Sequence, residues 1–379
     1  VDRLWLADSL SSCIMVACQH CVIASVRYPI VQSGMGRVAG PELAAEVSRA
    51  GGLGILAALN LSPEELRAQI RRVRELTDRP FGVNLWLHPD LMPPIDPGQL
   101  PAEAIDASNA ALNRVRRAMG LRESNAPPRQ RPDTIAAAID TILDERVPVW
   151  STALGLPEEG VVARCRERGV QLMVMVANLD DARAAAMRGA DFIVAQGFEA
   201  GGHRSVWRAS AGAGVGTLAL VPEIVDAVDV PVIAAGGVAD GRGLVASRAL
   251  GAAGVLMGTR FVATRESMAP EFWKLAILKS ASSGTMVTTA FTGLPARLLQ
   301  SRLAGEYESS RAPVLPGLLQ AALQQDIWTK ALSNNDPDYY PLYAGQSVGV
   351  IHDVPGAADV VASIVEEANA VIRQLTAGL

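Results

Sequence analysis

DFIVAQGFEAGGH, residues 191–203, reads as a short buried strand running into a turn too rich in glycine for helix or strand, and ends on a histidine. Glycines placed straight after a strand let backbone N–H groups approach an anion closely, because no Cβ stands in the way. A histidine at the rim of such a turn can exchange a proton near neutral pH. Two later stretches repeat the device: PVIAAGG, residues 231–237, and GVLMGTR, residues 254–260. Three strand ends of this kind, spaced by helix-length segments, predict one phosphate site at one face of a parallel barrel.

Working outward, the same alternation fills the chain. Short apolar strands are expected at residues 27–35, 53–59, 81–87, 147–154 and 171–177, ahead of the three already quoted. Amphipathic helices fall between them, at 41–52, 62–77, 134–145, 157–169, 180–190, 217–228 and 240–252. The second of these carries its own start signal: Ser62 as cap, Pro63 in the first turn, and Glu65 at the reciprocal capping position. Eight strands in a right-handed βα series close most naturally as a (β/α)8 TIM barrel, an α/β fold spanning residues 27–263.

The rhythm breaks after the third strand. Residues 89–130 hold prolines at 89, 93, 94, 97, 101, 127 and 128 around a polar helix at 102–119. Such an insertion is expected over the barrel mouth, as a lid or as surface decoration. Beyond Ala263 the pattern turns helical, with segments near 271–280, 295–306, 315–324 and 359–375. This predicts a smaller C-terminal helical domain, 264–379, on the substrate side with a closing helix. The loop YYPLYAGQSVG, 339–349, could bring Tyr343 and Gln346 to the site.

Composition sets the outer limits. In 379 residues a formal net charge of -5 leaves no basic field for nucleic acid or an anionic membrane. Residues 1–26 read as an N-terminal extension outside the core. Their apolar run lacks a basic flank and is too short to span a bilayer, so a cytoplasmic protein is expected. Three of the four cysteines (Cys13, Cys18, Cys21, Cys165) have the spacing C-x4-C-x2-C. An iron–sulfur reading of them lacks an evident fourth ligand.

The residues narrow the chemistry. Gly201 and Gly202, Gly236 and Gly237, and Gly258 with Thr259 can cradle a phosphate, which both flavin mononucleotide and pyridoxal phosphate would supply. Pyridoxal phosphate needs a lysine, and Lys274, Lys279 and Lys330 all stand in the C-terminal helices. Flavin remains. Asn84 on the third strand and Gln196 on the sixth have amides that can meet a ring edge. Among His20, His88, His203 and His352, only His203 is embedded in a glycine-rich strand end, which makes it the candidate catalytic residue. No H-E-x-x-H motif and no G-x-S-x-G elbow occur, so neither a metal site nor a serine triad is expected.

The segments YPIVQSGM, AGGLGIL, RPFGVNLWL, GADFIVAQGFEAGGH, VPVIAAGGVADGRG, LMGTRF, FTGLPAR and PLYAGQ together resemble the nitronate monooxygenases, formerly 2-nitropropane dioxygenases. That resemblance covers the chain from about Arg27 to the last helix. It implies an FMN-bound barrel that oxidises an alkyl nitronate such as propionate 3-nitronate with O2, giving a carbonyl compound and nitrite or nitrate. Carried over by motif, the FMN contacts are Asn84, Gln196, Gly201, Gly237, Leu256, Met257, Gly258 and Thr259, with His203 catalytic. The partners implied are a small-molecule substrate and O2. Flavin-dependent enoyl-acyl carrier protein reductases and NADH:quinone reductases share most of these motifs, and a flavin-binding protein without turnover would keep the glycine turns. The insertion and FTGLPAR look more like the nitronate oxidisers. Ser205 stands where many members have glycine, so an altered turn is expected there.

Overall fold

Runs of Val, Ile, Leu, Ala and Met without alternation must be covered on both faces, and parallel strands screened by helices provide that cover. The computed structural model, which describes residues 23–207 and 214–377, realises it as a barrel. Six strands come first: β1 (Ile30–Gln32), β2 (Gly54–Ala57), β3 (Phe81–Trp86), β4 (Val149–Ala153), β5 (Gln171–Val176) and β6 (Phe192–Gln196). A two-residue strand β7 (Gly202–His203) follows, then β8 (Val232–Ala235) and β9 (Gly254–Met257). The barrel sheet runs β1-β9-β8-β6-β5-β4-β3-β2, with every pair parallel. It closes where the Gln32 amide donates to the Leu53 carbonyl at 2.9 Å and the Leu53 amide to the Ile30 carbonyl at 2.9 Å.

The helices form where their caps place them. Ser62 accepts from the Glu65 amide at 3.2 Å and Glu65 accepts from the Ser62 amide at 2.8 Å, so the helix Pro63–Leu76 starts on a complete reciprocal cap. The long final helix, Ala357–Ala377, lies against the barrel helix Gly241–Ala249. A Cβ at Gly241 would fall on the Ala368 amide and 2.7 Å from the Ile364 carbonyl, so glycine permits this close packing.

Two features differ from the sequence reading. The chain enters the barrel core earlier than residue 27, because Ile23, Ala24 and Val26 are buried in it. Beyond Ala263 the chain is not helical throughout: β10 (Thr285–Thr288) and β11 (Ala296–Leu299) form an antiparallel sheet with β7. The segment at 295–306, read as one helix, is a strand followed by the helix Arg302–Ser310. Half of the glycine turn is likewise a strand, with Gly202 opposite Arg297 and His203 opposite Ala296. Cys13, Cys18 and Cys21 lie outside the described residues, and with them the iron–sulfur reading. Cys165 is free and buried, and burial pushes its thiol up to about 11.

A second hydrophobic core lies apart from the barrel's own. The insertion contributes Ile105, Ala111, Leu112 and Val115 to it, and the C-terminal region contributes Trp273, Leu303, Tyr307 and Trp328. Arg116 pins the two together. Its buried guanidinium donates to Asp326 at 2.8 Å and to the Leu323 carbonyl at 2.6 Å, while Asn113 accepts from it at 3.0 Å. The insertion is therefore built into a cap shared with the C-terminal helices.

Candidate active site

The ends of the barrel strands and the cap enclose a cavity of about 460 Å³, within the roughly 300–1,000 Å³ usual for small-molecule sites. Asn84, Gln196, Gly201, Gly202, His203, Leu256, Gly258 and Thr259 all line it. Strand ends far apart in sequence are thus brought to one place. Gly237 and Met257 are not on its wall. Successive strand residues face opposite ways, so with Leu256 on the cavity, Met257 turns into the barrel core. At the end of β8 the wall is made by Gly236, whose φ of +105° calls for glycine, while Gly237 (φ +75°) packs beside the Glu199 side chain.

The turn after β6 is held from several sides. The Gln196 amide donates to the His203 carbonyl at 2.9 Å and its oxygen accepts from the Ser205 amide at 2.8 Å, which ties both ends of the turn to one side chain. Ser205 is buried beside that turn. Its hydroxyl donates to the Met175 carbonyl at 2.8 Å and accepts from the Leu154 amide at 3.0 Å, stitching the turn to the ends of β5 and β4. Glu199 accepts from the Thr217 amide at 2.9 Å and from its hydroxyl at 2.9 Å. Arg204 donates to the Gly197 carbonyl at 2.7 Å, Arg297 donates to the Phe198 carbonyl at 3.1 Å, and both guanidiniums lie over the Phe198 ring. Burial, with Arg297 beside it, pushes Arg204 down to about 10, which leaves it charged at neutral pH.

Across the cavity the PLYAGQ loop completes the cradle. The Gly345 amide donates to the Thr259 hydroxyl at 2.9 Å and the Gln346 amide donates to the Glu199 carbonyl at 2.9 Å. A Cβ on Gly201 would fall on the Gly345 amide nitrogen and 2.5 Å from the Ala344 carbonyl carbon, so the two loops meet backbone to backbone. Tyr343 and Ser347 line the cavity, whereas Gln346 engages through its backbone.

His203 sits in an aromatic row. Its ring centroid is 4.5 Å from Trp86 and 5.2 Å from Tyr343, and Trp273 follows 6.4 Å beyond Tyr343. His203 Nε2 lies 2.8 Å from the Thr292 hydroxyl. Burial, reinforced by the nearby His88, pulls His203 down to about 3, so its ring is neutral at physiological pH. Burial drives the Tyr343 phenol upward, which keeps it a neutral donor. Asn84 donates to the Ser151 carbonyl and hydroxyl, each at 3.2 Å, and lines the cavity.

At the mouth, Arg37 lies over the Trp328 ring at 5.4 Å and donates to Gln325 at 3.3 Å. Arg131, from the end of the insertion, donates to the Leu59 carbonyl at 3.1 Å and to Asn60 at 3.3 Å. Both line the cavity, and among the described residues neither has a carboxylate partner. The indole N–H groups of Trp273 and Trp328, also cavity residues, are buried without an acceptor. None of the three lysines lines the cavity, and among the described residues no cluster of three or more His, Cys, Asp or Glu could hold a metal.

Trp86 was legible in principle, because it shares a strand face with Asn84 two residues earlier. Thr292, Arg37 and Arg131 carry no local signal and become visible only when the cap closes over the barrel.

The model of the nitronate monooxygenase family matches residues 19–367. The chain belongs to the nitronate monooxygenase family. It is 36% identical over 360 residues to a probable nitronate monooxygenase of Staphylococcus saprophyticus, covering 93% of this chain and 98% of that one. Among solved structures it is similar to nitroalkane oxidase from Streptomyces ansochromogenes, with 34% identity and a TM-score of 0.81 over 93% of this chain and all (100%) of that one. It is also similar to FabK from Thermotoga maritima, with 30% identity and a TM-score of 0.74 over 94% and 97% of the two chains. Membership of the nitronate monooxygenase family makes this chain a flavin-dependent oxidoreductase acting on a small-molecule substrate. No helix among its described residues is long and apolar enough to cross a membrane.

Proposed function

We propose that this member of the nitronate monooxygenase family binds FMN and oxidises alkyl nitronates, such as propionate 3-nitronate, with O2 to a carbonyl compound and nitrite or nitrate. The observation that carries this reading is a neutral, half-buried imidazole in the same cavity as three glycine-bearing strand ends. Gly201, Gly236, Gly258 and Thr259 would hold the phosphate, since a Cβ at Gly201 has no room and Gly236 takes a φ open to glycine. Asn84 and Gln196 would meet the ring edge. Gly237 and Met257 would act from behind this wall, one shaping the turn and the other filling the core. The bound flavin supplies an electron acceptor that reacts onward with O2.

The chain's own residues handle substrate and proton. A nitronate is an anion, and the Tyr343 hydroxyl, a neutral donor on the cavity wall, can orient its oxygens without trapping it in a permanent ion pair. A neutral nitroalkane must first lose the proton on the carbon bearing the nitro group; the imidazole can accept it because the nitronate formed beside it is an anion, which stabilises the imidazolium that desolvation alone disfavours. The Trp86 and Trp273 rings give the cavity an apolar wall beside His203 and Tyr343.

The mouth supports propionate 3-nitronate in particular. Its carboxylate, two bonds from the reacting carbon, would find Arg37 and Arg131 without a carboxylate partner among the described residues. Arg37→Met is expected to raise KM for propionate 3-nitronate roughly 10- to 100-fold, the value of a charge-assisted hydrogen bond. The shift with ethyl nitronate should be much smaller, and equal shifts for both substrates would remove the carboxylate assignment.

The similarity to FabK favours a second reading, a flavin-dependent reductase. Stopped-flow absorbance under anaerobic conditions separates the two. Propionate 3-nitronate should reduce the flavin within seconds and NAD(P)H should not. Fast bleaching by NAD(P)H with no response to the nitronate would replace the oxidase reading by the reductase one.

A further inference from the structure

The FTGLPAR segment also delivers the one group that, among the described residues, hydrogen-bonds the His203 ring. Thr292 is buried, and its hydroxyl stands 2.8 Å from His203 Nε2. The same hydroxyl donates to the Leu294 carbonyl at 3.2 Å and lies 3.4 Å from the Leu294 amide. A threonine hydroxyl has one proton to give. If it went to His203, the Leu294 carbonyl, on a buried residue, would lose the only donor it has among the described residues. Leaving a buried acceptor unpaired is unfavourable. With the proton on Leu294, both Nε2 and the Leu294 carbonyl are served only when the imidazole donates through Nε2–H to Thr292, which leaves the lone pair on Nδ1.

The rest of the local structure holds the ring in that orientation. The backbone of His203 is paired with Ala296, four residues after Thr292, so β11 holds His203 beside the segment that carries its partner. Trp86 and Tyr343 flank the ring at 4.5 and 5.2 Å. Nδ1 has no hydrogen-bond partner among the described residues, and His203 lines the cavity.

We propose that Thr292, relaying to the Leu294 carbonyl, is a positioning residue that fixes His203 in its Nε2–H tautomer, so that Nδ1 is the atom that takes the proton from a neutral nitroalkane. In that step the C–H bond of the carbon bearing the nitro group breaks, its electron pair moves into the nitro group to give the nitronate, and the proton forms a bond to Nδ1. The ring becomes an imidazolium whose Nε2–H still donates to Thr292. A substrate that arrives already as the nitronate skips this step. The inference rests on the oxidation proposed above, but its signature separates from it.

The test uses the flavin-loaded protein, its Thr292→Val and Thr292→Ser variants, and paired kinetics with nitroethane and ethyl nitronate. Nitrogen-15 NMR of the imidazole, assigned by comparison with His203→Gln, should show the Nε2–H tautomer in the natural protein and in Thr292→Ser, and a mixture in Thr292→Val. The ratio of kcat/KM for nitroethane to that for ethyl nitronate should fall at least tenfold in Thr292→Val and recover in Thr292→Ser. An Nδ1–H tautomer in the natural protein overturns the inference. So does an equal loss with both substrates, which would mark Thr292 as a packing residue, or turnover of the nitronate without any of nitroethane. Failure to oxidise either substrate would instead count against the proposed oxidation, with the tautomer still readable by NMR.

Discussion

Replacing His203 by alanine should lower kcat/KM for neutral nitroalkanes by about 10²- to 10⁴-fold, the usual worth of a positioned proton acceptor, while the protein stays yellow. The expectation follows from where the ring makes its contacts. Its neighbours are Trp86, Tyr343 and Thr292, whereas the glycine turns are held by Gln196, Ser205, Glu199 and Arg204. Truncating the imidazole leaves that second set intact. Loss of flavin from the purified variant would place His203 in cofactor binding instead.

The same residue writes a pH signature into stability. Burial lowers His203 from its ordinary 6.5 to about 3. Below about pH 6.5 the unfolded chain takes up a proton that the folded protein refuses until about pH 3. The unfolded state therefore binds more protons across that window, and stability falls as pH falls through it, while above it the residue imposes no penalty. His203→Gln should flatten this dependence. Urea unfolding at pH 4.5 and pH 7, expected to differ less in the variant than in the natural protein, is the measurement that checks it.

The second large effect is expected at Gly201. Alanine there would set a methyl group on the Gly345 amide and against the Ala344 carbonyl carbon, and both obstacles are backbone. The turn after β6 and the PLYAGQ loop must then separate, which opens the cradle. Overpacking of this kind costs about 1–3 kcal/mol, so FMN affinity should weaken roughly 10- to 100-fold. Gly305→Ala is the control. A Cβ at Gly305, within the helix Arg302–Ser310, meets nothing within 4 Å, and alanine should leave flavin affinity as it is. Undiminished flavin binding by Gly201→Ala would mean that this close approach does not shape the phosphate site.

The barrel was legible because its signals are local. The βα units announce themselves through apolar runs, joined in places by a cap such as Ser62 with Glu65 and, after β6, β8 and β9, by glycines at the strand end. The cap over the barrel was less legible because its contacts are remote in sequence. Ser108 bonds the Pro313 carbonyl and Arg116 bonds Asp326, each across some two hundred residues. No periodicity in the insertion or the C-terminal region reports that they share a core. The strand Ala296–Leu299 was hidden for a related reason. ARLL has as much helical as extended character, and its partner is a two-residue strand inside the glycine turn. At the site, Asn84, Gln196 and His203 stood out as polar residues at the ends of apolar strands. Thr292 had no such contrast, since its importance lies in one hydrogen bond made across the fold. Leu256 and Met257 are adjacent in sequence, but the pleat sends only Leu256 to the cavity.

That the glycine-bearing ends of β6, β8 and β9 converge on a phosphate is tested most directly by titrating flavin-stripped protein with FMN and with riboflavin, which share the ring and differ by that group. FMN should bind at least about 100-fold more tightly, as expected for several charge-assisted hydrogen bonds to one dianion. Equal affinity for the two, or a protein that stays colourless with both, would contradict it.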